Sequence, residues 1–96
     1  MRRDTALALL QQHRPDFPAL GIVSLSLFGS TARDTAQEDS DVDLLVAFQS
    51  PPSFLAYMEA KAALEGWLGA RVDLVTEAGL LERVRPKVLE EAIHVA

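Results

Sequence analysis

The chain has 96 residues, of which 49% are hydrophobic, a size and composition that suit one compact domain over residues 1–96. It contains no cysteine, which excludes disulfides and cysteine-ligated metal sites and fits a reducing cytoplasm. Its net charge of −5 disfavours direct binding to a nucleic-acid backbone, and no apolar run approaches the length of a membrane span.

The first quarter of the chain predicts a helix, an irregular linker and a strand. Asp4 is a candidate N-cap for a helix from about Thr5 to His13. Prolines at positions 15 and 18 disfavour regular structure in the linker that follows. Residues 22–28 predict a strand with its more apolar face formed by alternate residues from Val23 onward.

Three elements are predicted between residues 34 and 69. Residues 34–40 are polar and read as a surface loop, and residues 41–48 predict a strand. The longest helix is expected from Phe54 to Leu68, with Ser53 as its N-cap and Gly69 as its C-cap. Its apolar stripe is predicted to comprise Phe54, Tyr57, Met58, Leu64, Trp67 and Leu68.

The last quarter of the chain predicts a short strand, helical segments and a closing strand. Residues 71–75 alternate, with Asp73 facing away from its apolar neighbours. A helical pattern begins at Glu77 and is broken at Pro86, after which it resumes. The final five residues could form a last strand.

Two acids open the second predicted strand. Because side chains two apart in a strand share a face, Asp41 and Asp43 point the same way, about 6–7 Å apart. Unpaired carboxylates that close require a cation, a proton or a basic partner, and Arg33 is the one basic residue between positions 32 and 60. A divalent metal such as Mg²⁺ is the natural counter-charge, because it binds carboxylate oxygens together with substrate phosphates.

A Gly-Ser corner precedes the acid pair. Gly29 and Ser30 follow the first strand at once and open a short helix-prone segment. Such a corner lets the backbone approach a ligand and aims N–H groups at an anion, so it predicts a phosphate cradle. If the strand at 71–75 lies beside the strand at 41–48, Asp73 joins Asp41 and Asp43, and three carboxylates could share two metals. Asp73 could then take the proton of an attacking hydroxyl.

The spacing of these residues supports a family resemblance. Phe28-Gly29-Ser30, ten residues and Asp41-Val42-Asp43 resemble the signature of the nucleotidyltransferase superfamily that includes DNA polymerase β. The fuller string GSTARDTAQEDSDVDLLV resembles the minimal nucleotidyltransferases of prokaryotes, the MNT proteins. The resemblance implies an α/β (α+β) fold, a small mixed sheet flanked by helices, that binds ATP and two Mg²⁺ ions.

The same resemblance implies roles for residues and for a partner. Gly29 and Ser30 would hold the triphosphate, and the acids at 41, 43 and 73 would bind metal. MNT proteins are commonly paired with a helical HEPN ribonuclease toxin, and several are similar enough to suggest AMP transfer onto a tyrosine of that toxin. A cytoplasmic hetero-oligomer with such a partner is therefore expected.

Several alternatives stay open at this stage. Arg33 could join the nucleotide site or serve as a structural ion-pair partner, and Ser40 could contact the nucleotide or shape the turn into the strand. Asp34 stands where many relatives have Gly, which bears on how the loop closes over a nucleotide. Two other functions compete with AMP transfer to a toxin: a catalytically inactive antitoxin that only binds its partner, and a small-molecule nucleotidyltransferase.

Overall fold

A computed structural model, described here for residues 1–80, 82 and 84–96, shows a four-stranded sheet with flanking helices. The helices are α1 (Arg3–Gln12), α2 (Gly29–Ala32), α3 (Phe54–Leu68) and α4 (Arg85–Glu91). The strands are β1 (Ile22–Phe28), β2 (Val42–Phe48), β3 (Val72–Thr76) and β4 (Ile93–His94). The predicted fold class, a small mixed sheet flanked by helices, is confirmed.

The sheet has the strand order β3-β2-β1-β4, so β2 and β1 are its central strands. Strand β1 is antiparallel to both β2 and β4, whereas β2 and β3 run parallel. The adjacency of β2 and β3, on which the third acid depended, is therefore confirmed. Their register places Asp43 directly opposite Asp73.

The hydrophobic core lies on one face of this sheet. Val42, Leu44 and Val46 of β2 are fully buried and belong to one cluster with residues of α1 and α3. Since side chains alternate along a strand, Asp43 of β2 points to the opposite face. The core thus anchors β2 from one side and presents its acid on the other.

Helix α3 has the predicted bounds and both predicted caps. The Ser53 hydroxyl accepts the Ala56 N–H at 3.1 Å, and Gly69 ends the helix with a left-handed φ of 64°. The predicted apolar stripe is wrong for Phe54 and Met58, whose exposed fractions are 81% and 39%.

The stripe that packs on the core is narrower than the sequence suggested. Its fully or almost fully buried members, Ala60, Leu64 and Leu68, are spaced four residues apart and so share one side of the helix. Met58, two residues before Ala60, lies about 160° around the axis from it, at 3.6 residues per turn.

The start of α1 differs from the prediction. The helix begins at Arg3, and Asp4 lies inside its first turn rather than at the N-cap. The capping acceptor comes from elsewhere, because Asp34 Oδ1 accepts the Arg3 N–H at 3.0 Å. The linker is also more regular than expected, with two short 3₁₀ turns at Arg14–Asp16 and Pro18–Leu20.

Strand β1 changes face at its beginning. Its pairing with β2 is irregular between Ile22 and Ser24, so Ile22 is buried while Val23 is 60% exposed. The predicted buried position of Val23 is therefore wrong, because a β-bulge shifts the alternation by one residue. From Leu25 onward the predicted alternation holds.

The C-terminal segment is less helical than predicted. Residues 77–80 form turns, while residues 81 and 83 of the expected helix lie outside the described residues. Pro86 does not break a helix, since it occupies the first turn of α4, where a missing N–H is tolerated. The predicted closing strand is present as β4. Among the described residues, no helix combines the length and the apolarity needed to cross a membrane.

Candidate active site

The Gly-Ser corner lies directly against the acid of β2. Strand β1 ends at Phe28, and α2 begins at Gly29 with a left-handed φ of 73°. A Cβ atom at Gly29 would overlap Asp43 Oδ2 and would lie 2.9 Å from the carboxyl carbon of Asp43. Only glycine fits both the backbone angle and the space. The corner and Asp43, one acid of the predicted pair, are thus in contact.

Two carboxylates share the polar face of the sheet. Asp43 and Asp73 lie directly opposite each other on the parallel strands β2 and β3. Burial, followed by the negative charge of Asp73, raises the pKa of Asp43 to about 6. Arg33 opposes this rise through its positive charge. The bare site therefore has an excess of negative charge at neutral pH.

Asp41 has a basic partner that the sequence reasoning missed. Its Oδ1 atom lies 3.1 Å from Arg71 Nε, and Arg71 also donates from Nη2 to the Asp39 carbonyl at 3.2 Å. Arg71 immediately precedes β3, so the parallel pairing of β2 and β3 brings it beside the start of β2. The sequence offered no local sign of this pair, because 30 positions separate its members.

The three predicted acids are near one another but do not form one closed ligand set. Among the described residues, no group of three His, Cys, Asp or Glu side chains is arranged to hold a metal ion. Asp43 and Asp73 face each other, whereas Asp41 turns toward Arg71. The donors nonetheless suit a hard cation such as Mg²⁺, because all three offer carboxylate oxygens.

Ser30 and Ser40 stabilise the loop between the corner and the acids. The Ser30 carbonyl accepts the Thr35 N–H at 2.9 Å, which ties the first turn of α2 to the loop. The Ser40 hydroxyl accepts the Gln37 N–H at 3.0 Å, which fits its alternative role as a turn residue.

Arg33 forms an ion pair with a residue from the far end of the chain. Its Nη1 atom lies 2.9 Å from Glu91 Oε2, which matches the structural alternative for Arg33. The other oxygen of Glu91, Oε1, accepts the Gly29 N–H at 3.2 Å. Sequence reasoning did not single out Glu91, and its place beside the corner follows only from the packing of α4.

Comparison with known proteins agrees with this geometry. The profile of the nucleotidyltransferase domain family matches residues 10–95. The protein adenylyltransferase MntA of Thermococcus cleftensis is 39% identical over 89 residues, which cover 92% of this chain and 90% of MntA. A solved structure assigned as a minimal nucleotidyltransferase is 46% identical, with a TM-score of 0.83, and the match covers 97% of this chain and 95% of that chain.

A more distant likeness supports the fold alone. A chain from the complex of a tri-AMPylated Shewanella oneidensis HEPN toxin with an MNT antitoxin has a TM-score of 0.67 at 18% identity. That match covers 94% of this chain and 71% of the other. A chain of a toxin–antitoxin structure with AMP-PNP has a TM-score of 0.69 at 22% identity. That match covers 100% of this chain and 73% of the other.

The fold and the corner thus define a protein of the nucleotidyltransferase class. The chain belongs to the nucleotidyltransferase domain family, and its relatives include the protein adenylyltransferase MntA and a minimal nucleotidyltransferase. The predicted family and enzyme class are confirmed.

Proposed function

We propose that this chain transfers AMP from Mg²⁺-bound ATP to a tyrosine hydroxyl of a partner HEPN ribonuclease toxin and acts as its antitoxin. MntA, at 39% identity, is a protein adenylyltransferase. A protein of the same fold occurs in complex with a tri-AMPylated HEPN toxin, and another occurs in a toxin–antitoxin structure with AMP-PNP. These related proteins support the proposed substrate class, the proposed modification and the proposed kind of partner.

The observation that carries the proposal is the meeting of three separate segments at one point. Gly29 touches Asp43 so closely that no side chain fits between them, and Asp43 faces Asp73 across the β2–β3 pair. A backbone corner that can approach phosphates therefore adjoins carboxylates that can hold their cation.

Each residue has a defined role in the proposed reaction. Gly29 and Ser30 would bind the triphosphate, with Arg33 and Ser40 as further candidates at its edge. Asp41, Asp43 and Asp73 would hold Mg²⁺, which supplies charge stabilisation for the nucleophile and the leaving group. Asp73 would accept the proton of the attacking hydroxyl. The bond from that oxygen to the α-phosphorus forms as the bond to pyrophosphate breaks.

The proposal includes a cytoplasmic hetero-oligomer of this chain with the toxin and no direct contact with nucleic acid. The net charge of −5 supports the last point, since phosphate backbones repel an acidic surface. The absence of cysteine fits a reducing compartment.

The nucleotide site is tested by ATP binding with and without Mg²⁺, measured by calorimetry. We expect metal-dependent binding by the wild type and its loss in Asp41→Asn/Asp43→Asn. The control, Asp4→Asn/Asp16→Asn, removes the same charge from exposed positions and should bind normally. Equal binding by both double variants would contradict the site.

The acceptor is tested by mass spectrometry of a HEPN toxin after mixing with the chain and MgATP. One or more added AMP groups on a tyrosine, lost in Asp73→Asn, would support transfer. A stable but unmodified complex would favour the inactive binding antitoxin instead. AMP found on a small molecule but never on the toxin would favour the small-molecule alternative.

A further inference from the structure

Glu91 is the residue at the corner to which neither the motif nor the proposed mechanism assigns a role. It is the last residue of α4, 62 positions from Gly29, and its side chain is only 21% exposed. A carboxylate at a helix C-terminus is unfavourable, because the last carbonyl groups carry partial negative charge. Both of its side-chain contacts lie outside its own helix, one at Gly29 and one at Arg33.

The two oxygens of Glu91 bind two different parts of the corner. Oε1 accepts the N–H of Gly29, the first residue of α2, at 3.2 Å. Oε2 lies 2.9 Å from Nη1 of Arg33, the residue that follows α2. One carboxylate thus bridges the beginning and the end of this short helix.

This contact leaves Arg33 able to bind a second anion. A guanidinium group has five N–H donors in a rigid fork, and one of its terminal nitrogens meets Glu91. The Arg33 side chain is 51% exposed, so about half of its surface remains open to solvent. An arginine held by a carboxylate loses less side-chain entropy when it then binds a phosphate.

We propose that Glu91 is a positioning residue of the nucleotide site, where one of its oxygens fixes the Gly29 backbone and the other orients Arg33 toward the triphosphate of ATP. This inference rests on the proposed function, since it assigns Arg33 to the nucleotide. Glu91 touches neither the nucleotide nor the metal. Its effect on ATP passes through Arg33, and this distinguishes it from a carboxylate that competes with the phosphates for the corner.

The test is a double-variant cycle on MgATP affinity, measured by calorimetry on the full chain. We expect Glu91→Gln to weaken MgATP binding about 10-fold, the effect usual for a residue that orients a ligand group. Arg33→Gln should weaken it at least as much. In the Arg33→Gln background, Glu91→Gln should then have little further effect, because both changes remove the same contact.

Two controls separate positioning from a general loss of structure. Glu90→Gln removes the same charge from the neighbouring, exposed position of α4 and should leave MgATP affinity unchanged. Urea unfolding of each variant reports stability, and a merely structural Glu91 would lower the free energy of unfolding while leaving the MgATP affinity of the folded protein unchanged.

The outcomes are distinct. MgATP affinity that is unchanged or increased in Glu91→Gln would overturn the positioning role, and an increase would identify Glu91 as a competitor of the phosphates. If Glu91→Gln lowered MgATP affinity by the same factor with and without Arg33, that result would overturn the positioning role as well. Wild-type protein that binds no MgATP would refute the nucleotide site itself, and this result is read before any variant is compared.

Discussion

At the scale of the residue, the lack of a side chain at Gly29 allows the corner to pack directly against Asp43. Its φ of 73° and its contact with Asp43 both require glycine. We expect Gly29→Ala to lower the free energy of unfolding by about 1–2 kcal/mol from the backbone angle alone. The overlap with the Asp43 carboxylate adds to this loss and should abolish MgATP binding.

Gly66 offers a matched control for that variant. It lies within α3, and a Cβ atom there would meet nothing within 4 Å. Gly66→Ala should therefore raise the free energy of unfolding by about 0.5–1 kcal/mol through helix propensity and leave MgATP binding intact. Urea unfolding and calorimetry measure both effects. A Gly29→Ala protein with wild-type stability and affinity would refute the close contact.

Asp34 combines a backbone role with a charge. It has a left-handed φ of 60°, a backbone angle that favours glycine. Its carboxylate compensates by accepting the Arg3 N–H at the start of α1. That hydrogen bond, together with the charges of Arg3, Arg2 and the N-terminus, lowers the pKa of Asp34 from 3.8.

The lowered pKa of Asp34 sets the direction of a pH dependence. A carboxyl whose pKa is lower in the folded state stabilises the fold fully above its unfolded value of 3.8. This contribution is lost as the pH falls through the folded value. Asp34→Asn keeps a residue that tolerates the left-handed angle but removes the charge. Its melting temperature should be below that of the wild type at pH 7, and the gap should close in acid.

Thermal unfolding from pH 7 down to pH 2 measures this gap. Asp16→Asn removes the same charge from an exposed position away from the start of α1 and corrects for net charge. Equal melting temperatures at pH 7, or a gap that widens in acid, would contradict a charged cap at Asp34.

At the scale of the element, α3 protects the edge strand β3. The Val72 N–H donates to Glu65 Oε2 at 2.9 Å, and the Tyr57 hydroxyl donates to the Leu74 carbonyl. The backbone N–H and carbonyl groups of residues 72 and 74 point away from β2, toward the open edge of the sheet. The Glu65 and Tyr57 side chains therefore bind backbone groups that would otherwise be free to pair with another strand.

Removal of the Tyr57 hydroxyl should therefore be costly. Tyr57→Phe leaves the Leu74 carbonyl without this donor and should lower the free energy of unfolding by about 1–3 kcal/mol. Glu65→Gln keeps an acceptor for the Val72 N–H and should have a smaller effect, whereas Glu65→Ala should resemble Tyr57→Phe. Urea unfolding measures all three. A neutral Tyr57→Phe would show that water replaces the hydroxyl without loss.

The elements also show what the sequence could predict. Helix α3, its caps at Ser53 and Gly69, and the acid-bearing strands depend on local patterns, and these predictions are confirmed. The β-bulge between Ile22 and Ser24 has no recognisable sequence pattern, so Val23 was wrongly predicted to be buried. Contacts of distant residues, such as Asp34 with Arg3, depend on packing that periodicity does not reveal.

The candidate site divides along the same line. The motif predicted that Gly29 and Asp43 lie at one site, and the structure shows them in contact. The position of Asp73 opposite Asp43 was predicted on the assumption that its strand pairs with β2. Arg71 and Glu91 were missed, because an arginine or a glutamate far along the chain carries no sign of its partner. The motif thus predicts the residues at the middle of the candidate site better than the residues that contact them from distant parts of the chain.

At the scale of the whole molecule, the site depends on three strands being paired at once. The corner follows β1, while Asp43 and Asp73 belong to β2 and β3. Strand β2 joins the other two through hydrogen bonds on both of its edges. Whatever separates β2 from either neighbour separates the corner from the acids, so the site exists only in the fully paired sheet.

This dependence predicts an order of protection in native-state amide exchange. The amides of Val42–Phe48 should exchange only through global unfolding, because β2 is central and mostly buried. Those of the two-residue edge strand β4 and of the loop at 34–40 should exchange through local opening, with lower free energies.

Exchange measured with increasing low concentrations of urea separates the two regimes. Global opening exposes much surface and depends steeply on urea, whereas local opening hardly depends on it. If β2 amides exchanged as readily as those of β4, the acids could leave the corner without unfolding. MgATP would then stabilise one of several native arrangements, and its binding would raise protection in β2 selectively. In the fully paired sheet, MgATP should instead raise the global free energy of unfolding. The protection of every β2 amide against exchange should rise by the same amount.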